Sequence, residues 1–288
     1  MEPVVTVGLD GTAESLAAAR WAADDADRRR VTLRLMHAWI LLSEEAPGVP
    51  REKDQNYWAR RIVHDAQTEL RRSHPNLTII EDLVAEEASS ALLRAVGESK
   101  MLVLGSRGLD TAESFFLGDT SLHIVARADG PVVLVRAGAG GELPVAREGG
   151  VVVGLGLGHP ADDVVEFAFE DAAARGVPLH AVHGRRLPVG AYMPWGVDPD
   201  VAEEVAKAAQ KDLDYVLGPW REKFPGVHVI DGVRLESPAR AVVRAASGAD
   251  LLVVGRRKHR HALAPRINHV VQAAVHHADC PVAVVPHD

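Results

Sequence analysis

The sequence predicts an α/β protein built from two tandem, doubly wound, open parallel-sheet domains with five strands each. The chain of 288 residues nearly repeats itself, and each copy alternates short apolar segments with helical patterns. Nearly continuous apolar strands separated by helices are typical of a parallel sheet that is covered on both faces. A chain of this length also suits two domains of ordinary size.

The repeat is visible at two constant offsets. Gly8 in VVTVGLD and Gly154 in VVVGLGLG are 146 positions apart. Later in each copy the offset is 150, since Gly105 in MLVLGSR matches Gly255 in LLVVGRR. One internal change of four residues reconciles the two copies, and such self-similarity indicates a tandem duplication.

The boundary between the copies is predicted within residues 137–150. This segment, AGAGGELPVAREGG, is small and polar and is punctuated by glycine and proline, as linkers are. The predicted domains are therefore residues 1–138 and residues 149–288.

The first copy begins with the apolar strand VVTVGL at 4–9. An alanine-rich helix follows at 12–30, where leucine and alanine recur at helical spacing. VTLRLMHA at 31–38 is the second strand. A helix over 52–72 comes next and ends before Pro75, because proline cannot continue a helix.

The rest of the first copy continues the alternation. LTIIEDLV is the third strand, SSALLRAV a short helix, and MLVLG the fourth strand. A helix at 119–128 leads to the fifth strand, PVVLV at 131–135. The second copy gives the same order, with a long helix at about 200–224.

Composition narrows the classes of function. A net charge of −8 disfavours nonspecific nucleic-acid binding, which relies on excess Lys and Arg. No apolar run approaches the length that crosses a bilayer, and the first residues enter a strand pattern without a secretory signal. Cys280 is the only cysteine, so an internal disulfide and a cysteine-based metal site are excluded. These features predict a cytoplasmic protein that binds neither nucleic acid nor membrane.

The fold prediction also places a candidate site. An open parallel sheet binds ligands outside the carboxyl ends of its strands, where the strand order reverses. Three segments of the first copy meet there: GLDGT after the first strand, HAW at the end of the second, and LGSRGLDTAESFFLGDTS at 104–121 after the fourth.

These segments resemble the universal stress protein family in its tandem two-domain form. The resemblance covers essentially the whole chain, from VGLDGT through LVLGSRG to GPVVLVR and again in the second copy. It implies a Rossmann-like, adenine nucleotide alpha hydrolase-like fold. It also implies a role in the stress response, binding of ATP or a related adenine nucleotide, and no enzymatic activity beyond, at most, slow ATP hydrolysis.

The loop at 104–121 matches the spacing of the family's nucleotide-binding subgroup, which is Gly, two residues, Gly, nine residues, Gly, then Ser or Thr. Glycines let backbone amides approach a ligand, and a helix N-terminus favours an anion. A serine between the first two glycines belongs to the same loop, an arginine supplies a cation, and two hydroxyls lie at the helix start. The residues concerned are Gly105, Ser106, Arg107, Gly108, Gly118, Thr120 and Ser121.

Asp119 departs from the subgroup, because it stands where the family has a hydroxyl. A carboxylate at this position is also typical of an ordinary N-cap, where it accepts hydrogen bonds from the first amides of the helix. The segment is therefore either a phosphate site or a self-capped turn. An Mg²⁺ ion shared between Asp119 and the phosphates would make the two compatible. By the resemblance, Asp10 faces the nucleotide near its adenine and metal side, and the backbone of Ala38 contacts adenine. The alternative for Asp10 is an Asp-Gly turn before the first helix.

The second copy has lost this pattern. Gly156 replaces Asp10, Lys258 replaces Gly108 and Asn268 replaces the third glycine of the loop. Nucleotide binding is not predicted there, and the second domain is expected to be a degenerate structural or regulatory partner.

A basic cluster occupies the corresponding loop, at Arg256, Arg257, Lys258, Arg260 and Arg266, with His259, His261 and His269. The favoured interpretation is a solvated loop on an acidic chain, and the sharper one is a docking surface for an anionic ligand or acidic partner. Zinc at the three histidines is disfavoured, because no acidic or thiol ligand accompanies them.

Several other features complete the predictions. In the family the last strands of two domains commonly meet, which implies a pseudo-dimer contact between 131–135 and 281–285 within one chain and leaves room for a further homodimer. Cys280 is predicted to be a core residue. His37 and His183 are predicted to be core or rim residues, not catalysts. An exposed loop is predicted at 190–200. A scaffold or interaction module that binds no nucleotide is the alternative function.

Overall fold

The structure is a computed structural model that describes residues 3–39, 55–107, 119–137, 149–158, 161–194, 196–258 and 267–288. The chain divides into two compact units, Met1–Pro144 (unit 1) and Val145–Asp288 (unit 2). The division falls inside the segment where the sequence places the linker.

Unit 1 alternates strands and helices along the chain. Its elements are β1 (Val4–Gly8), α1 (Ala13–Arg29), β2 (Thr32–Ala38), α2 (Gln55–Ser73), β3 (Ile79–Val84), α3 (Ala88–Gly97), β4 (Met101–Arg107), α4 (Asp119–Arg127) and β5 (Val132–Ala137). The strands pair in parallel in the order β5-β4-β1-β2-β3. The predicted parallel α/β fold is confirmed, and the strand order reverses between β1 and β4.

Small side chains bring α1 close to the sheet. Thr12 begins the helix, because its hydroxyl accepts a hydrogen bond from the Ser15 amide at 3.2 Å. Arg30 ends it in the left-handed conformation, with φ of 55°. The alanines of α1 include fully buried Ala18 and Ala22, and the helix packs against β1, β4 and β5. This helix therefore fixes the strand ends that surround the crevice.

Unit 2 repeats the design with one addition. Its elements are β6 (Val151–Gly154), α5 (Asp162–Arg175), β7 (Leu179–Gly184), β8 (Tyr192–Met193), β9 (Gly196–Val197), α6 (Pro199–Lys223), β10 (Val229–Arg234), α7 (Pro238–Ala245), β11 (Leu251–Arg257), α8 (His269–His277) and β12 (Val282–His287). The five long strands pair in parallel in the order β12-β11-β6-β7-β10, which matches unit 1.

The segment predicted as an exposed loop at 190–200 contains the small antiparallel pair β8–β9. Tyr192 pairs with Val197, and Gly196 takes a φ of 142° that suits glycine. Tyr192 is 60% exposed, as expected for this segment, while Trp195 lies outside the described residues.

Each unit also carries a buried ion pair in the helix after its first strand. In α1 the Asp25 carboxylate accepts from Arg29 at 2.7 Å, and in α5 the Asp171 carboxylate accepts from Arg175 at 2.6 Å. Both carboxylates are almost completely buried. The two pairs are 146 positions apart, so the duplication preserved this pair together with the fold.

Candidate functional site

The carboxyl ends of the unit 1 strands surround one cavity beside the point where the strand order reverses. Residues from the ends of β1, β2 and β4 line it, together with the first residues of α3 and α4. Its volume is about 170 Å³. The parallel topology therefore places three distant chain segments around a single crevice, as the general rule for open sheets requires.

Five of the predicted site residues line this cavity: Asp10, Ala38, Gly105, Thr120 and Ser121. Ser106 is buried within β4 and is not among the lining residues. Arg107 ends β4 and Asp119 begins α4, but their side chains lie outside the described part of the structure, as do Gly108 and Gly118.

The carboxylate of Asp10 is held by the turn that follows β1. Its Oδ1 accepts hydrogen bonds from the Thr12 amide at 3.0 Å and from the Thr12 hydroxyl at 2.6 Å. The Asp10 amide donates to the hydroxyl of Ser15 at 3.4 Å. The Asp-Gly turn and the site position are therefore compatible, because the turn holds the carboxylate of a residue that lines the cavity.

The same contacts keep Asp10 ionised. Burial raises the pKa of this carboxyl, but the hydrogen bonds from Thr12 and Ser15 lower it by more, so the pKa lies below its usual value. Asp10 is therefore anionic at neutral pH. It can bind a divalent cation, and without one it repels a phosphate.

Both apolar and polar side chains line the cavity. Met36, Leu92 and Leu104 are apolar lining residues, and Asp10, Thr12, Thr120 and Ser121 are polar ones. The amide end of α4 carries the positive end of the helix dipole. This arrangement suits a ligand with a flat apolar part and an anionic part.

Gly105 has a packing role that sequence reasoning did not identify. A Cβ atom at this position would lie 2.5 Å from the Glu14 carbonyl carbon and 2.7 Å from the Ser15 amide nitrogen. Glycine is therefore required for β4 to pass the first turn of α1, whether or not a ligand binds. Gly105 consequently cannot be substituted as a clean probe of binding.

The statistical model of the universal stress protein family matches residues 3–136 and again 150–286. The chain belongs to the universal stress protein family. A universal stress protein of Mycolicibacterium smegmatis is 31% identical over 291 residues, with 98% of this chain and 96% of that protein covered. A Mycobacterium tuberculosis member is 31% identical over 287 residues, with 97% and 96% covered.

A solved universal stress protein structure from Archaeoglobus fulgidus shares the fold. It matches with a TM-score of 0.69 at 15% identity and covers 99% of this chain and 98% of its own. The double family match and these full-length likenesses confirm a tandem member of the family.

The second universal stress domain keeps the histidine that supports the crevice. His37 in unit 1 donates from Nδ1 to the Leu9 carbonyl at 2.7 Å, and His183 in unit 2 donates to the Leu155 carbonyl at 2.8 Å. Each ring ties the end of the second strand to the end of the first. Both are therefore rim or core histidines with a structural contact, as the sequence predicts.

The helix that follows the fourth strand differs between the two domains. In unit 2 the Asn268 side chain accepts from the amides of Val270 and Val271 at 3.0 and 2.9 Å. It also donates to the Gly255 carbonyl at 3.1 Å. The N-terminus of α8 is thus closed by its own cap, whereas the matching position in unit 1 is Gly118, which carries no side chain.

Three other features of the sequence concern a cysteine, a cluster of histidines and the length of apolar helices. Cys280 is buried, as expected of a core residue. The zinc candidates His259 and His261 lie outside the described part of the chain, and no group of three possible metal ligands occurs within that part. Among the described residues, no helix is both long and apolar enough to span a membrane.

Proposed function

We propose that this universal stress protein is a non-enzymatic stress-response protein that binds ATP, or a related adenine nucleotide, in unit 1. One observation carries the proposal. Residues from separate segments that the family pattern assigns to the nucleotide line one cavity with apolar and polar parts. Unit 2 serves as its partner domain without a family-type nucleotide site.

The apolar part of the cavity suits the base. A volume of about 170 Å³ is below the roughly 300–1,000 Å³ of pockets that enclose a whole small molecule. A nucleobase would therefore occupy the cavity between Met36, Leu92 and Leu104, with Ala38 at its edge. The ribose and phosphates would extend outward past Asp10 and the start of α4.

The polar part suits the phosphates. Thr120 is exposed and Ser121 is half-buried, so both hydroxyls can meet a ligand at the N-terminal end of α4. Ionised Asp10 would hold Mg²⁺, which is bound in proteins by one or two carboxylates together with substrate phosphates. The metal would convert the repulsion between Asp10 and a polyphosphate into a bridged contact.

The test is calorimetric titration of the full chain with Mg-ATP. The double variant Thr120→Val/Ser121→Ala removes both hydroxyls, and we expect it to bind about tenfold more weakly, since a hydrogen bond to a charged group is worth about 1.5–3 kcal/mol. Thr32→Val makes the same chemical change at the opposite end of the sheet, where β2 begins, and should bind like the wild type.

Further measurements distinguish the two roles of Asp119 and the alternative functions of the protein. If Asp119 acts as a self-cap, Asp119→Ser will tighten Mg-ATP binding, whereas if it shares the metal the same change will weaken binding. Failure of the wild type to bind millimolar Mg-ATP would contradict the proposal and favour the scaffold function. If the wild type binds ATP and releases inorganic phosphate from it, the non-enzymatic assignment would be contradicted.

A further inference from the structure

Unit 2 has a cavity at the crevice that corresponds to the unit 1 site. The ends of β6, β7 and β11 surround about 390 Å³. This volume falls within the roughly 300–1,000 Å³ typical of small-molecule pockets. Loss of the glycine pattern has therefore not closed this crevice.

Several polar side chains of the unit 1 crevice are replaced in unit 2 by residues without a polar side chain. Five polar residues that line the unit 1 cavity have counterparts in unit 2 without a polar side chain. The replacements are Asp10 by Gly156, Thr12 by Gly158, Ser15 by Ala161, Thr120 by Val270 and Ser121 by Val271. Further apolar side chains, such as Val164 and Val242, line the unit 2 cavity. Such walls favour a ligand with an apolar body, because they remove its surface from water.

The Arg and Lys, Asp and Glu side chains among the described lining residues of this cavity are all positive. Arg256 and Arg257 line it, and no aspartate or glutamate does so among the described residues. The neighbouring His287 responds to this environment. Burial lowers the pKa of His287, and a hydrogen bond to the Asp288 carbonyl raises it. The positive charge of Arg257 lowers the pKa further, and the negative charge of Asp163 raises it. An anionic group on the ligand would be attracted here.

One buried polar atom at the cavity lacks a partner. His183 lines the cavity and is only 7% exposed. Its Nδ1 donates to the Leu155 carbonyl, so Nε2 of the neutral ring is an acceptor, and this atom has no hydrogen-bond partner in the described residues. A buried acceptor without a partner is costly, and a ligand O–H or N–H would satisfy it.

A polyphosphate does not fit this site. The amides of Val270 and Val271, which would face a phosphate at the start of α8, are already bonded to the Asn268 side chain. The carboxylate that would share a metal is also missing, since Gly156 stands in the place of Asp10. The anionic group is therefore one that side-chain cations can hold.

We propose that unit 2 binds a small organic acid with an aromatic or similarly apolar body. Its carboxylate meets Arg257, its body lies between Val164 and Val242, and an O–H or N–H donates to Nε2 of His183. The proposal does not depend on nucleotide binding by unit 1.

The test uses para-hydroxybenzoate as the probe, titrated into the full chain by calorimetry and monitored by the histidine NMR signals. We expect saturable binding with a perturbed His183 signal. Para-methoxybenzoate lacks the donor and para-hydroxybenzamide lacks the charge, so each should bind about tenfold more weakly.

Two isosteric substitutions test the electrostatics. A Cβ at Gly156 would meet no heavy atom within 4 Å, and this residue is outside the left-handed region, so a side chain is tolerated. Gly156→Asp restores the carboxylate of unit 1 and should weaken binding about tenfold relative to Gly156→Asn, because only the former repels the anion. Thermal melts of both variants check folding.

A third substitution tests the hydrogen bond. His183→Asn keeps an amide donor for the Leu155 carbonyl but removes the Nε2 acceptor, so the preference for the hydroxy over the methoxy probe should vanish. Three results would overturn the proposal: no saturable binding at millimolar probe, equal affinities for the Asp and Asn variants at 156, or displacement of the probe by Mg-ATP in the Thr120→Val/Ser121→Ala background.

Discussion

A single carboxylate at the start of α3 shows how one residue sets local stability. Both oxygens of Glu87 accept hydrogen bonds at 2.9 Å, one from the Ser89 amide and one from the Ser90 amide. These two bonds lower the pKa of Glu87 to about 2, against burial that raises it slightly. Ala88, the next residue, lines the unit 1 cavity, so this cap also positions one wall of the site.

The Glu87 cap predicts a pH-dependent stability. The folded-state pKa lies below that of the unfolded chain, about 4.3, so the stabilisation is complete above that value and is lost as pH falls towards 2. Glu87→Gln removes the charge and keeps one acceptor. The stability difference between wild type and variant, from urea unfolding, should be constant from about pH 7 to 5 and shrink below about pH 4. A difference that grows on acidification would contradict this assignment.

Residue chemistry could be predicted from the sequence only where it follows the family pattern. Asp10 was predicted from the resemblance at the end of the first strand and Thr120 from the family loop, and both line the cavity. The requirement for glycine at 105 was predicted from ligand approach, whereas its contact with the first turn of α1 depends on how closely a helix crosses a strand. The unpartnered Nε2 of His183 likewise depends on three-dimensional packing that no spacing records.

Elements were predictable because apolar periodicity and proline positions mark them well. The long helix expected at about 200–224 is α6, Pro199–Lys223, and the helix expected at 119–128 is α4, Asp119–Arg127. The β8–β9 pair was not predicted, since two-residue strands leave no periodic signal. The buried Asp–Arg pairs of α1 and α5 were also missed, although their recurrence at the repeat offset was a usable signal.

The buried pair in α5 gives an element-scale prediction. Asp171→Ala removes the buried carboxylate that accepts from Arg175, and removing one partner of a buried pair costs about 3–5 kcal/mol. The free energy of unfolding in urea measures this loss. Asp65→Ala breaks the pair between Arg61 and Asp65, which has the same spacing but is exposed, and should leave stability nearly unchanged. Equal losses in the two variants would show that burial does not set the cost.

At the scale of the whole molecule, duplication kept the framework and changed the cavity. Both units retain the parallel strand order, the histidine tie between the first two strands and the buried pair on the first helix. Side chains at the crevice diverged from carboxylate and hydroxyl to glycine and valine. The sequence therefore predicted the fold of both units, but a lost nucleotide pattern could not reveal that the second crevice still holds a cavity.

This divergence predicts that the two units discriminate between ligands independently. Thr120→Val/Ser121→Ala should weaken Mg-ATP binding and leave the para-hydroxybenzoate affinity within about twofold, since substitutions that share no partner residues are usually additive. Gly156→Asp should do the reverse, weakening para-hydroxybenzoate and leaving Mg-ATP within about twofold. Titrating each variant with both ligands gives the four affinities. Either substitution could instead weaken the affinities for both ligands about equally while the thermal melts stay unchanged. The two ligands would then share a site or be coupled, and the chemistry of each cavity would not explain which ligand it binds.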